Sequence, residues 1–184
     1  MKKRFLAFLL AVCVAVSMLV LPASAVGSNA AVQTATALGG LTAGQAGSLG
    51  APLTRGQAAR LLTAFSAYRD TTTAQGRTGR LYSDVDSDSP YAVYIRTAVQ
   101  NGWMTGYSDG SFRPDRNVTR AELMAMVNRA LGRTPKSADD LLSGMKTWRD
   151  NANVNAWYYL DVQEATNDHT YTKSGTHETW KKLL

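Results

Sequence analysis

Four stretches of the chain carry apolar residues at helical spacing, and the segments between them do not. Ala58, Leu61, Leu62 and Phe65 recur at steps of three, four and seven, which predicts a helix over Thr54 to Tyr68. Tyr91, Ile95, Ala98 and Val99 share a second face, with Pro90 suited to the first turn and Gly102 to the stop. Leu123, Met126, Val127, Ala130 and Leu131 predict a helix over Thr119 to Leu131. Ala156 to Ala165 predicts another, its Tyr158, Val162 and Ala165 matching Tyr91, Ile95 and Ala98. A weak helix is expected from about Asn29 to Leu38, and Gly39 to Pro52 reads as a loop. Asp70–Arg80 and Lys136–Asp150 read as polar linkers, the second with a short helical turn at Asp139–Leu142. From Thr170 onward the chain is polar and aromatic, without a strong pattern.

Two of these helices begin with one signature. Thr54-Arg55-Gly56-Gln57 and Thr119-Arg120-Ala121-Glu122 both fit a capping box. In such a box the hydroxyl accepts from a first-turn N–H, and the acid or amide reaches back to the cap N–H. Leu53 and Val118 stand where a hydrophobic staple onto Ala58 or Leu123 would start. Neither Arg55 nor Arg120 is needed for capping, so their charge points to a binding role. The spacing also repeats: Thr54 to Thr119 is 65 residues, and Tyr91 to Tyr158 is 67. The unit is an Asp-rich lead-in, a helix, a Gly-rich aromatic loop and a capped helix. Only the middle copy is whole. Such a unit cannot bury its own apolar face, so the copies must pack on one another.

The N-terminus changes the compartment. Lys2, Lys3 and Arg4 precede a 17-residue apolar stretch from Phe5 to Leu21, and Ala23-Ser24-Ala25 is a small-x-small cleavage site. Residues 1–25 therefore read as an export signal. Cleavage leaves about 159 residues, enough for one domain. The only cysteine, Cys13, lies within the signal and follows Val12 rather than a small residue. Neither a lipid anchor nor a disulfide is expected. Three of the six net positive charges belong to the signal, leaving +3. That mild balance, with no basic run, argues against a nucleic-acid partner.

Taken together, these motifs resemble the S-layer homology domain family. The middle copy carries the resemblance with Tyr82-Ser83-Asp84-Val85, the loop from Gly102-Trp103-Met104-Thr105-Gly106 to Phe112-Arg113-Pro114, and Val118-Thr119-Arg120-Ala121-Glu122. Leu53 to Gln57 is similar to the tail of a preceding motif. Trp148-Arg149-Asp150 with Ala156-Trp157-Tyr158-Tyr159 is similar to the head of the next. The resemblance implies a mainly α pseudo-threefold bundle of helix–loop–helix repeats behind a signal peptide. Its division would be a signal at 1–25, a lead-in and worn front half of repeat 1 at 26–52, and the back half and linker at 53–80. Repeat 2 would follow at 81–134 and a partial repeat 3 at 135–184.

The implied function is non-enzymatic. The chain would be secreted to the wall of a Gram-positive-type bacterium. There it would bind a secondary cell wall polysaccharide, often pyruvylated, without a cofactor, a metal or, after cleavage of the signal, a membrane anchor. The family's ligand-binding arginine falls on Arg120 and Arg55, and its groove aspartates and aromatics on Asp109 and Trp103, then Asp84, Asp150 and Trp157. The chemistry suits this: guanidinium forms a planar fork on a ketal carboxylate, a helix N-terminus adds N–H groups, and an indole face covers a sugar. Three departures stand out. The middle copy has Pro90 where the third has Trp157. The first copy has Gly56-Gln57 in place of Ala-Glu, and the third lacks the capped helix. At least one groove is then expected to be incomplete.

Other readings are weaker. A degenerate bundle that contacts other surface proteins is the main alternative. Gly106-Tyr107-Ser108-Asp109-Gly110 fits a nucleophile elbow, but a strand before it and a helix after it are not expected, so a serine hydrolase is remote. Asp84, Asp86 and Asp88 begin like a calcium loop, but Ser89 and Ile95 stand where glycine and glutamate are required. His169 and His177 with Glu178 offer metal ligands, but in a polar tail they are expected to be solvated.

Overall fold

The computed structural model describes residues 30–47, 50–69 and 80–184. The expected signal peptide and most of the 70–80 linker lie outside them. Both capping boxes form. Gln57 N–H donates to the Thr54 hydroxyl at 3.4 Å, and Thr54 N–H to the Gln57 side-chain oxygen at 2.9 Å. Glu122 N–H donates to Thr119 at 3.2 Å, and Thr119 N–H to the Glu122 carboxylate at 2.9 Å.

The described chain forms two compact units, 30–118 and 119–184. The first holds helices α1 (Ala30–Ala37), α2 (Ala43–Gly47), α3 (Arg55–Ala64) and α4 (Ala92–Gln100). Helix α2 corrects the loop expected over Gly39–Pro52, and α3 ends earlier than its pattern suggested. Its Phe65 cap N–H turns back to Leu61 O and Thr63 O. Helices α3 and α4 pack together. The core draws Ala58, Leu61 and Leu62 from α3, Ile95 and Ala98 from α4, and Val85, Trp103, Met104 and Phe112 from the surrounding loops. The N-terminus of α3 is tied to the loop ahead of residue 119. Arg55 N–H donates to Arg116 O at 2.9 Å, Gly56 N–H to Pro114 O at 2.8 Å, and Val118 N–H to Leu53 O at 2.8 Å.

The second unit holds α5 (Arg120–Leu131), short 3-10 turns at Ala138–Asp140 and Arg149–Asn151, α6 (Tyr159–Thr166), and strands β1 (His169–Ser174) and β2 (His177–Leu183). Gly132, at φ 60°, ends α5 in the left-handed conformation glycine favours. Helices α5 and α6 meet at Met124, Val162 and Ala165, with Ala121 and Tyr158 against them. The buried Asn128 side chain donates to the Asp161 carbonyl at 2.9 Å, fixing the pair along its length.

The pseudo-threefold bundle of helix–loop–helix repeats is not what the chain forms. Its last segment is an antiparallel hairpin pairing Ser174 with His177 and Tyr171 with Trp180. An irregularity between Thr170 and Tyr171 leaves Lys181 as the extra residue on β2. The hairpin stands where a third repeat would place its capped helix. Trp180 and Glu178 point inward and are buried, while most of β1 is exposed. Thr134 O accepts from Glu178 N–H at 3.2 Å, and Asp140 accepts from the Thr179 hydroxyl at 2.8 Å. The apolar face of the partial repeat, Tyr158, Val162 and Ala165, is covered by α5 through Met124 and Ala121, while the strand packs beside the turn at Ala138–Asp140.

Each unit joins the capped tail of one sequence motif to the head of the next: α3 to α4, and α5 to α6. Repetition in sequence and packing in space are therefore offset by half a motif.

Candidate functional site

The two arginines of the repeated signature do different things. Arg55 is 6% exposed. Its Nε donates to Phe112 O at 2.8 Å and its Nη2 to Thr105 O at 2.7 Å. The guanidinium lies 4.5 Å from the centre of the Phe112 ring and 5.0 Å from that of Tyr107. It is spent inside the fold, holding both sides of the 105–112 loop.

Asp84 works on the same loop. Its two carboxylate oxygens accept the N–H groups of Phe112 and Arg113 at 2.7 and 2.6 Å. Tyr82 lies against Phe112, ring centres 5.4 Å apart, and its hydroxyl accepts from Gly106 N–H at 3.1 Å. Asp109 caps its own turn through Ser111 and ion-pairs with Arg113 at 2.7 Å. The Ser111 hydroxyl, then Arg113 and the Ser111 N–H, hold the Asp109 carboxyl well below the usual carboxylate range. Trp103 is buried, edge-to-face with Tyr68 at 5.9 Å. Among the expected groove residues of this unit, Arg55, Asp84 and Asp109 converge on one loop, while Trp103 is core.

Ser108 lies in a turn closed by Tyr107 N–H to Ser111 O at 2.8 Å, with neither the strand nor the helix of a nucleophile elbow beside it. Nor do Asp84 and Asp86 converge on a cation, since Asp86 pairs with Arg80 at 2.8 Å.

Arg120 presents its charge outward. It opens α5, its side chain is 19% exposed, and its Nη1 donates to Asp150 at 2.8 Å. The Asp150 side chain is 59% exposed. The guanidinium lies 5.2 Å from the Trp148 ring centre, and the Trp148 indole N–H donates to the Thr166 hydroxyl at 2.9 Å. Trp157 is 63% exposed and meets Tyr158 edge-on at 5.5 Å. Ala121 and Tyr158, the neighbours of Arg120 and Trp157, pack on the same Met124–Val162–Ala165 cluster. The result is a cation on an aromatic face at a capped helix N-terminus, paired with an exposed carboxylate that an incoming anion can replace.

Trp148 was absent from the expected site residues. Its signal was its position, two residues before Asp150, as Tyr82 is two before Asp84. One of the two histidines differs from the expected solvated state. His177 is exposed, but the His169 side chain is enclosed between Glu164 and Glu178.

The S-layer homology domain model matches residues 81–124. The chain is 38% identical over 78 residues to the cellulosome-anchoring protein of Acetivibrio thermocellus, covering 42% of this chain and 16% of that protein. It is 32% identical over 91 residues to cell surface glycoprotein 1 of the same organism, covering 50% of this chain and 4% of that protein. The chain thus spans less than a fifth of either relative. No solved structure matches it significantly. The matched segment runs from the Tyr82–Asp84 lead-in to the first turn of α5.

Proposed function

We propose that this chain attaches non-covalently to the bacterial cell surface by binding an acidic secondary wall polysaccharide, with Arg120 as the group that takes the polymer's carboxylate. The single observation that carries the reading is the Arg120 environment: a part-exposed guanidinium over Trp148, at a capped helix N-terminus, whose partner Asp150 is open to solvent. The S-layer homology match and the likeness to an anchoring protein and a surface glycoprotein support the attachment role.

In this reading a pyruvate-ketal carboxylate replaces Asp150 on the Arg120 fork, and Asp150 turns to accept a sugar hydroxyl. Trp148 and Trp157 offer faces to the sugar ring. Arg55, Asp84 and Asp109 build the loop of the first unit rather than contact ligand, and Trp103 supports that loop from the core. One groove, at α5, then does the binding, and the partner is the polymer of a Gram-positive-type wall.

The test is sedimentation of the purified chain with native sacculi and with sacculi stripped of secondary polymer. Binding to the first and not the second is expected. Equal binding to both would overturn the assignment of the polymer as ligand. A second reading, a protein-contact module, draws on the exposed Val154 and Trp157 side chains. A folded chain that sediments with neither preparation would favour it.

A further inference from the structure

The hairpin brings together three ligand-type side chains that wall binding does not use. Glu164 comes from α6, His169 opens β1 and Glu178 lies on β2, and one donor atom from each falls within 4.8 Å of the others. Both glutamate side chains are fully enclosed, and that of His169 is 3% exposed.

The histidine is aimed. Its Nδ1 lies 2.7 Å from Asn167 O, a contact that places the ring proton on Nδ1. In the neutral imidazole the Nε2 lone pair then faces the carboxylates, with Nε2 3.5 Å from Glu164 Oε1 and 3.9 Å from Glu178 Oε2. These separations are too long for hydrogen bonds. Nε2 and both Glu178 oxygens have no hydrogen-bond partner. A buried lone pair directed at two buried carboxylates is repulsive, and the cations nearby, Arg133 and Lys173, pair with the carboxylates rather than with Nε2. The 3.5 Å between His169 Nε2 and Glu164 Oε1 suits an ion better than a shared proton. Donors about 2.0–2.1 Å from a tetrahedral ion lie roughly 3.4 Å apart, whereas a proton bridge would draw them to about 2.8 Å.

The surroundings orient the ligands as outer groups do at metal sites. Arg133 donates to Glu164 Oε1 through Nη2 at 2.8 Å and Nε at 3.1 Å. The Trp180 indole N–H donates to Glu164 Oε2 at 2.8 Å. The Trp180 ring stacks on His169 with centres 4.1 Å apart, fixing the imidazole plane. Lys173 stands 3.6 Å from Glu178 Oε1 with its side chain 37% exposed. It can leave for solvent when another cation arrives.

We propose that Glu164, His169 and Glu178 form a binding site for a divalent first-row transition ion that staples the C-terminal hairpin to α6. One imidazole and two carboxylates suit Zn²⁺ or Mn²⁺ better than thiophilic ions. Because the ion binds only the folded hairpin, it raises thermal stability by mass action.

The test is calorimetric titration and thermal unfolding of the EDTA-treated chain with Zn²⁺, then Mn²⁺. One ion per chain and a rise in Tm of about 5 °C at saturation are expected. Glu178→Gln should abolish both, and His177→Ala should change neither. Lys173→Met, on the exposed rim, should tighten binding several-fold by removing the competing cation. It keeps the test open should the ligand variants fail to fold. The proposal is overturned if neither ion gives heat or a Tm shift up to millimolar concentration. Binding that persists in Glu178→Gln, is lost in His177→Ala, or is unchanged or weaker in Lys173→Met also overturns it.

Discussion

Arg55 and Phe112, 57 positions apart, are joined twice: the Arg55 Nε–H donates to the Phe112 carbonyl at 2.8 Å, and the guanidinium lies 4.5 Å from the centre of the Phe112 ring. A residue carried by the binding signature is thus a clamp on the next motif's loop. Arg55→Ala leaves the carbonyls of Phe112 and Thr105 without that donor inside the fold. The expected loss is about 3 kcal/mol, read from urea unfolding. Arg55→Lys should recover little of it, because an ammonium cannot fork onto two carbonyls while stacking on a ring. Full stability in Arg55→Lys would show that only the charge matters.

Gly56 invites the substitution that would restore the family signature, and helix propensity says Gly56→Ala should gain about 1 kcal/mol. The packing says otherwise. A Cβ there would meet Tyr91 Cγ and Cδ2 at 2.8 Å and Pro114 O at 3.3 Å. Tyr91 opens α4, so relief would have to move the helix that α3 packs against. A net loss of about 1–2 kcal/mol is expected. A rise in Tm for Gly56→Ala would refute this reading of the α3–α4 contact.

Thr119 satisfies an N–H that the first turn of α5 would otherwise leave open. Thr119→Ala should destabilise by about 1 kcal/mol. Thr119→Ser should cost a few tenths at most. Equal losses in the two variants would place the effect in the methyl group rather than the cap.

Asp161 gives a pH signature. Burial, set against the Asn128 hydrogen bond and Arg129 and reinforced by Glu164, raises its carboxyl above the usual range. The folded state therefore holds a proton that the unfolded state has released. Its contribution is full below about pH 4 and is lost as pH rises through the raised value. Asp161→Asn keeps the oxygen that accepts from Asn128 and removes the titration. The stability of the variant relative to the parent should climb between pH 4 and pH 7 in urea unfolding. A constant difference across that range would mean Asp161 is not perturbed.

The sequence was most legible where local chemistry alone decides structure. Thr-x-x-Gln and Thr-x-x-Glu marked both capped helices, because the partners lie three residues apart. The Tyr91 and Tyr158 faces marked α4 and α6. The hairpin was missed although its turn was visible: Ser174-Gly175-Thr176-His177 puts glycine at the first turn position, where φ is 61°. The flanking strands lack regular alternation because β1 is exposed and only Glu178 and Trp180 on β2 are buried. Without the hairpin, nothing could join His169 to Glu164. The split between Arg55 and Arg120 was equally hidden. Both follow the same capping threonine in a capping box, and what distinguishes them is the segment each helix packs on: a complete loop for Arg55, and the exposed Trp148–Asp150 turn for Arg120.

The most direct test of the account is a binding titration of isolated secondary wall polymer with the parent chain and with Arg120→Ala and Arg55→Lys, each checked for folding by circular dichroism. Losing a charge-assisted fork onto a carboxylate should weaken Arg120→Ala by at least tenfold. A folded Arg55→Lys should bind like the parent. An Arg120→Ala chain that is folded and binds the polymer as tightly as the parent would contradict the central claim.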